Sequence, residues 1–226
     1  MPDTIHDYSR LQSDIRLWCA RNDTDFVSAV PEFIHMAEQR IFFGSGDPYP
    51  SDPVRVLSMK VRLPIEIRSS SGTVSLPSDY LEQSSLVLDS DLSKRLTYRP
   101  EEEFDSLISQ GGQPSVFTIK GAVLIVKPVP DDNPTVILTY YKQFPKLVND
   151  DDTNTILQDQ PSIYLKASLI EAYSFIRNIQ ERDEAYKSYI AAANGVSLLT
   201  RKSLQGVRLS PVIPDTNTLP QGARGF

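Results

Sequence analysis

A hydrolytic triad needs a base held beside its nucleophile, usually a histidine, and this chain offers two, His6 and His35. His6 stands close to the N-terminus and His35 falls off the apolar stripe of its own helix, so both read as surface residues. Cys19 adjoins Trp18 with no base or cation evidently paired to it, the pattern of a packing thiol rather than a nucleophile. Asp150-Asp151-Asp152 with Asn154 invites a calcium-loop reading. Counted from Asp150, however, Thr155 takes the place of the turn glycine and Pro161 that of the bidentate glutamate. Both fail, which leaves a solvated acidic loop. Glu101-Glu102-Glu103 would point in different directions on a helix, and negative charge at a helix start accounts for them without acid–base work. Gly111-Gly112 precedes Gln-Pro and then a strand, which is turn chemistry, and no GxxxxGK[ST], GxGxxG or HExxH occurs. These residues lead to the expectation of no enzyme, no cofactor and no metal. A function through partners remains.

Composition narrows the partners. The 226 residues are 40% hydrophobic counting Tyr and leaving out Gly. Exchanging the 10 Tyr for 10 Gly keeps the figure at 40%, below the usual ~45–50%. The core is lean, and part of the chain is expected to pack outside the monomer. Twenty-three basic against 29 acidic residues, net −6, argue against gripping nucleic acid by bulk charge. One cysteine excludes an intrachain disulfide framework and a multi-thiolate metal site. The longest aliphatic run, Ala122–Val126, falls far short of the roughly 20 residues that span a bilayer. Met1-Pro2-Asp3-Thr4 carries no basic-then-apolar pattern, so no secretory signal and no membrane partner are expected.

The elements that would position these residues follow from periodicity. Tyr8, Leu11, Ile15 and Trp18 line one face of a first helix, capped by Asp3 or Thr4 and ended by Asn22-Asp23. Val30, Phe33, Ala37 and Ile41 predict a second helix from about Val30 to Phe43, with Pro31 in its first turn. Six short strands are expected at 55–62, 73–76, 84–88, 116–119, 122–126 and 135–141, with a hairpin turn at Lys120-Gly121. They suggest a small antiparallel sandwich or barrel. Residues 100–109 read as a short helix facing Phe104, Leu107 and Ile108 inward. Leu165, Leu169, Ala172, Ile176 and Ile179, widened by Ile163, Ala167, Ile170 and Tyr173, predict the most buried helix. After a break at 180–183, Ala185, Tyr186, Tyr189, Ile190 and Ala193 mark a last one. The expected fold class is thus α+β, mainly helical: a four-helix bundle (1–53 and 145–202) with an inserted small antiparallel β module (54–144) and an extended C-terminal arm (203–226).

That arm holds Pro211, Pro214 and Pro220 and several glycines, without periodicity, and is expected to be disordered in isolation. It nonetheless keeps Val207, Leu209, Val212, Ile213, Leu219 and Phe226 apolar. A binding arm is the reading, with Leu209, Pro211, Val212, Ile213, Leu219 and Phe226 as the residues that would meet a partner.

Several segments, in order, resemble the head-to-tail adaptor (head-completion, connector) proteins of tailed bacteriophages. Leu17-Trp18-Cys19-Ala20-Arg21-Asn22-Asp23 and Val30-Pro31-Glu32-Phe33-Ile34-His35-Met36-Ala37-Glu38 look like that family's opening helical hairpin. Leu76-Pro77-Ser78-Asp79-Tyr80-Leu81-Glu82 is similar to its strand link. Gly112-Gln113-Pro114 before Phe117-Thr118-Ile119, then Pro128-Val129-Pro130-Asp131 and Tyr140-Tyr141, look like its β module, and Pro161 to Leu169 resembles the start of its third long helix. The likeness covers roughly residues 8–200. One departure is Phe42-Phe43-Gly44-Ser45-Gly46, which ends the second helix where the family tends to continue it.

The resemblance implies a structural virion protein at the head-to-tail interface. It would form a ring of identical subunits, commonly dodecameric, beneath the portal protein. The ring would extend the DNA channel, pass DNA without specific contacts, and offer the attachment platform for the next tail component, a nozzle or stopper. A weakly acidic channel suits sliding DNA. The runner-up is a carbohydrate- or receptor-binding module associated with a tail spike or fibre, using Tyr80, Tyr98, Tyr140 and Tyr141 as a stacking platform.

Overall fold

The computed structural model describes residues 5–108 and 111–205. Two apolar cores organise them, one helical and one between two sheets.

The helical core begins with α1 (Tyr8–Cys19) and α2 (Thr24–Phe43). Asp7, not Asp3 or Thr4, caps α1 by accepting the Arg10 N–H at 2.7 Å. The helix closes at Ala20, whose left-handed backbone (φ 50°) sends its N–H to the carbonyls of Arg16 and Leu17. The expected stripe therefore shifts: Tyr8, Leu11, Ile15 and Cys19 are buried, and Trp18 is 52% exposed. α2 starts six residues before the expected Val30, because Asp23 accepts the Phe26 N–H at 3.1 Å and opens the helix there. Pro31 consequently lies inside the helix, exposed on its solvent face. Gly44 ends α2 at φ +76°, and a Cβ there would run into the Ser51 carbonyl oxygen.

Next come a 3₁₀ turn (Leu57–Met59), β1 (Lys60–Glu66), β2 (Thr73–Ser75), β3 (Tyr80–Leu88), β4 (Thr97–Tyr98), α3 (Glu101–Ser106), β5 (Val116–Lys120), β6 (Val123–Lys127) and β7 (Thr135–Lys142). One sheet has the order β1-β7-β3, the other β2-β6-β5-β4. Leu86, Leu88, Val136, Leu138 and Tyr140 from the first share a core with Phe117, Leu124 and Val126 from the second. The module is thus a sandwich. Its pairings are antiparallel except β4 with β5, which is parallel. Gly121 makes the β5–β6 turn at φ +59°, as Lys120-Gly121 predicts. The first strand begins at Lys60 rather than Arg55, because Val54, Val56 and Met59 are buried in the helical core instead. Pro64 stands on β1, an edge strand, where a missing N–H costs no ladder bond. Phe104 is buried under α3, but Leu107 and Ile108 lie past its end and face solvent.

α4 (Thr155–Asp159), a short helix not expected from the sequence, is capped by Asn154. α5 (Pro161–Phe175) buries Ile163, Tyr164, Leu165, Ala167, Leu169, Ile170 and Tyr173, and α1, α2, α4 and α6 (Ile179–Gln205) all pack against it. The break before α6 falls at Arg177-Asn178, and Ile179 opens α6 exposed instead of extending the α5 stripe.

A mainly helical four-helix bundle is therefore the wrong description. Among the described residues, six helices account for 42% beside two sheets of three and four strands. α5 acts as a hub rather than one of four equivalent neighbours, and the sandwich has a core of its own. α6 runs to Gln205, so residues 203–205 of the expected arm are helical.

Candidate interaction surfaces

The helical core and the sandwich meet around Arg55. Its Nη1 donates to the carbonyls of Phe42 and Val54, each at 3.0 Å, and its Nε pairs with Glu82 Oε2 at 2.9 Å. The guanidinium also lies 5.9 Å from the centre of the Tyr141 ring. Leu81 and Tyr141 turn their apolar parts toward the helices. Beside Arg55 a groove of about 490 Å³ opens between α6 and the sandwich, lined by Asp52, Glu82, Tyr141, Ile190, Asn194 and Leu198 among others. A second groove of about 320 Å³ adjoins it along α6, sharing Thr200, with Val56, Leu57, Ile156 and Val196 in its walls. Arg55 and Glu82 pair with each other at the edge of the first groove.

A different surface forms where α1 turns into α2. Leu17 is 73% exposed and Trp18 52%. Lys166 holds its ammonium 3.8 Å from the centre of the Trp18 ring, and burial lowers the lysine pKa. Tyr173 donates its hydroxyl to the Trp18 carbonyl at 3.3 Å. Phe175 packs its ring 6.2 Å from Phe26 and 5.4 Å from Phe33 yet stays half open to solvent, and Ile179 follows at 61% exposure. Large apolar residues gathered in one exposed place mark interaction surfaces. The Tyr8 to Trp18 spacing reads Trp18 as core; in the last helical turn α5 reaches it only through Lys166 and Tyr173, and half of its surface stays open.

The remaining residues singled out by sequence have local structural roles. His35 Nδ1 lies 3.9 Å from Glu38 Oε2. The His6 carbonyl accepts from Thr153 Oγ1 at 2.6 Å and its ring lies 3.1 Å from Asp7. Burial raises the Cys19 thiol pKa to about 11, the wrong direction for a nucleophile. Asp152 Oδ2 accepts the N–H groups of Val148 and Asn149, both at 2.8 Å, so this acid closes a turn. Glu103 pairs with Arg99 at 3.2 Å and Glu101 approaches Lys120 at 3.9 Å. Gly112 donates its N–H to the Val129 carbonyl at 3.3 Å, tying the bend before β5 to the segment after β6.

The four tyrosines of the carbohydrate reading do not form one platform. Tyr80 and Tyr140 stack on each other at 5.7 Å, with burial raising both hydroxyl pKa values to about 12. Tyr140 donates to Asp79 Oδ1 at 3.0 Å, and the Asp79 carbonyl accepts the Gln143 N–H at 2.7 Å. The aspartate of the Leu-Pro-x-Asp-Tyr segment is thereby a clamp between β3 and β7. Tyr141 faces the helices and Tyr98 packs on Phe117. Leu209, Pro211, Val212, Ile213, Leu219 and Phe226 lie outside the described residues.

Sequence reasoning missed Glu38. It is 3% exposed, and its Oε1 accepts the Leu147 N–H at 3.1 Å, tying α2 to the segment that leaves the sandwich. Burial raises its pKa, an effect opposed by the Leu147 hydrogen bond and then by His35 and Lys146. The signal was present: Glu38 follows Ile34 by four residues and precedes Ile41 by three, on the buried face.

A helical hub, an inserted sandwich, open grooves and an exposed aromatic surface define a structural, partner-binding protein. The family model described as SU10 adaptor protein matches residues 7–214, so the chain belongs to this family of bacteriophage head-to-tail adaptors, structural components of the virion. No curated protein matches it. Among the described residues, no helix is long and apolar enough to cross a membrane.

Proposed function

We propose that the protein assembles as a ring of identical subunits beneath the portal, commonly twelve, continuing the DNA channel and presenting the platform on which a nozzle or stopper docks. The observation that carries this reading is the family match over residues 7–214, which takes in the helical core, the sandwich and the start of the C-terminal segment. The exposed Leu17, Trp18, Phe175 and Ile179 are available to face a neighbouring subunit, and Leu209, Pro211, Val212, Ile213, Leu219 and Phe226 to anchor on the portal or a neighbour. DNA passes through without specific contacts, as a net charge of −6 favours. The helical core and the sandwich act as two folding units, with divisions near residues 54 and 144.

The test is to mix the purified protein with the portal of the same virus and image the product by electron microscopy. A ring capping the portal is the expected result. A monomer or trimer that ignores the portal and binds glycans would overturn it.

A further inference from the structure

The two ends of α1 carry opposite characters. Its first turn is held by the segment that leaves the sandwich: the N–H groups of Tyr8 and Ser9 donate to the carbonyls of Asp152 and Asp150 at 2.9 and 3.0 Å. Val148, 69% exposed, therefore stands at this end beside the exposed Asp150 and Asp151, whose carboxylates make no hydrogen bond or ion pair with any described residue. The loop is stiff, because Asp152 Oδ2 takes the N–H groups of Val148 and Asn149 and the Asp152 N–H returns to the Asn149 carbonyl at 2.9 Å. Lys146, the cation nearest in sequence, acts on the buried Glu38. The result is an apolar knob rimmed by acid.

Some ten residues further on, about 15 Å along the helix axis, lies the exposed surface of Leu17, Trp18, Phe175 and Ile179. Around it Arg16, Lys166 and Arg177 make no ion pair with any described residue, and they outnumber the neighbouring acids Asp25 and Glu181. Lys166 keeps its ammonium against the Trp18 ring with no carboxylate beside it, so a half-buried charge there lacks its counterion. Apolar area edged by uncompensated positive charge fits an apolar group flanked by carboxylates. The Val148 loop has that chemistry, and it sits at the other end of the same helix. Two complementary surfaces so placed cannot meet within one chain, and neither matches itself. They join copies head to tail, the kind of contact that closes a ring where the rotation allows.

We propose that the Val148–Asp151 loop of one subunit docks on the Leu17–Trp18 surface of the next, with Val148 entering between Trp18 and Phe175 and the carboxylates of Asp150 and Asp151 meeting Lys166 and Arg177. The inference rests on the ring reading and names the contact that would build it. Because the Asp152 turn already holds the loop, docking costs little ordering.

Two full-length chains test it, one carrying Leu17→Cys and the other Val148→Cys, both at exposed positions that tolerate the change. Cys19, buried with its thiol pKa raised to about 11, does not compete for the new thiols. An equal mixture is oxidised mildly, once free at high protein concentration and once assembled on the portal. Since a disulfide needs close approach, mixed 17–148 dimers should exceed 17–17 and 148–148 dimers at least about tenfold, as mapped by mass spectrometry. An excess of 17–17 dimers would mean a symmetric pairing and overturn the proposal. Rings that form on the portal without the 17–148 link would overturn it too, while leaving the ring reading intact. Mixed dimers from the free protein, with no ring on the portal, would uphold the contact and count against the portal role alone; neither link nor ring would overturn both. Charge is tested in the same mixture. Arg177→Glu in the first chain should slow the linkage about threefold, and Asp151→Lys in the second should restore it. Linkage indifferent to both changes refutes the match.

Discussion

Leu169 on α5 is 1% exposed within the helical core, and Leu138 on β7 is fully buried within the sandwich. Truncating either to alanine should cost about 2–5 kcal/mol, from lost transfer energy plus the cavity left behind. The melting shift then depends on how many residues unfold together. The helical part holds about 110 of the 226 residues. At about 2.1 cal/mol/K per residue its unfolding entropy is roughly 0.23 kcal/mol/K, against roughly 0.47 for the whole chain. If the helical core melts as its own unit, Leu169→Ala should lower one transition by roughly 9–20 °C and leave the sandwich transition nearly in place. Leu138→Ala should do the converse. If the chain melts as one unit, both variants should lower a single transition by roughly 4–10 °C. Differential scanning calorimetry separates these outcomes. Two cores joined mainly through Leu81, Tyr141 and Arg55 favour the first. A single peak moved equally by both variants would refute the two-unit reading, and a shift within error for Leu169→Ala would remove it from the core.

Glu38→Gln should stabilise the protein at neutral pH, because burial raises the glutamate pKa above its usual 4.5 and the charged form is held at a cost. Since the folded state binds the proton more tightly, that cost is present above the folded pKa and is relieved as pH falls toward 4.5. The gain from Gln should therefore shrink on acidification in denaturant titrations, and a gain constant with pH would refute the assignment. Arg40→Met should cost about 3 kcal/mol, because Arg40 pairs with Glu171 at 2.8 Å and also donates to Ser45 Oγ and the Tyr49 carbonyl; chemical denaturation would show it. Trp18→Ser should cost only about 1 kcal/mol, the loss of its Lys166 contact, while weakening assembly with the portal at least tenfold in sedimentation. Intact assembly would remove the Trp18 surface from the interface.

Much of the backbone plan was legible in the residues themselves. The strands at 73–76, 116–119, 122–126 and 135–141 fall within a few residues of β2, β5, β6 and β7, because β-branched runs between turn residues offer the chain few other choices. Errors arose where a local rule met a stronger neighbour. Pro31 marks a helix start by propensity, yet the Asp23 cap opens α2 seven residues earlier. Trp18, Leu107, Ile108 and Ile179 are apolar and periodic but stand at helix ends, where no partner element covers them. The bundle expectation failed because periodicity states which face of a helix is buried and not what buries it: α5 collects four helices, and the sandwich takes its own share of apolar residues. Of the surfaces, Glu38 could have been found by spacing. The groove beside α6 could not, since it is made by residues as distant as Asp52, Glu82, Tyr141 and Leu198.

The pairing of β1 with β7 bears on the order in which the chain folds. The two strands carry the chain into and out of the sandwich, and Lys60 lies opposite Tyr141. Before the sandwich forms, joining α2 to α5, as Arg40 and Glu171 do across 131 positions, must close a loop containing some 80 residues of unstructured insert. Once it has formed, the insert behaves as a link only one strand spacing wide. With loop-closure entropy growing as 1.5RT ln n, shortening that effective loop from 131 positions to about 50 lowers the cost of closing the helical core by about 0.8 kcal/mol. A sandwich that folds first thus acts as a clasp, bringing the two halves of the helical core to adjacent positions before their side chains meet.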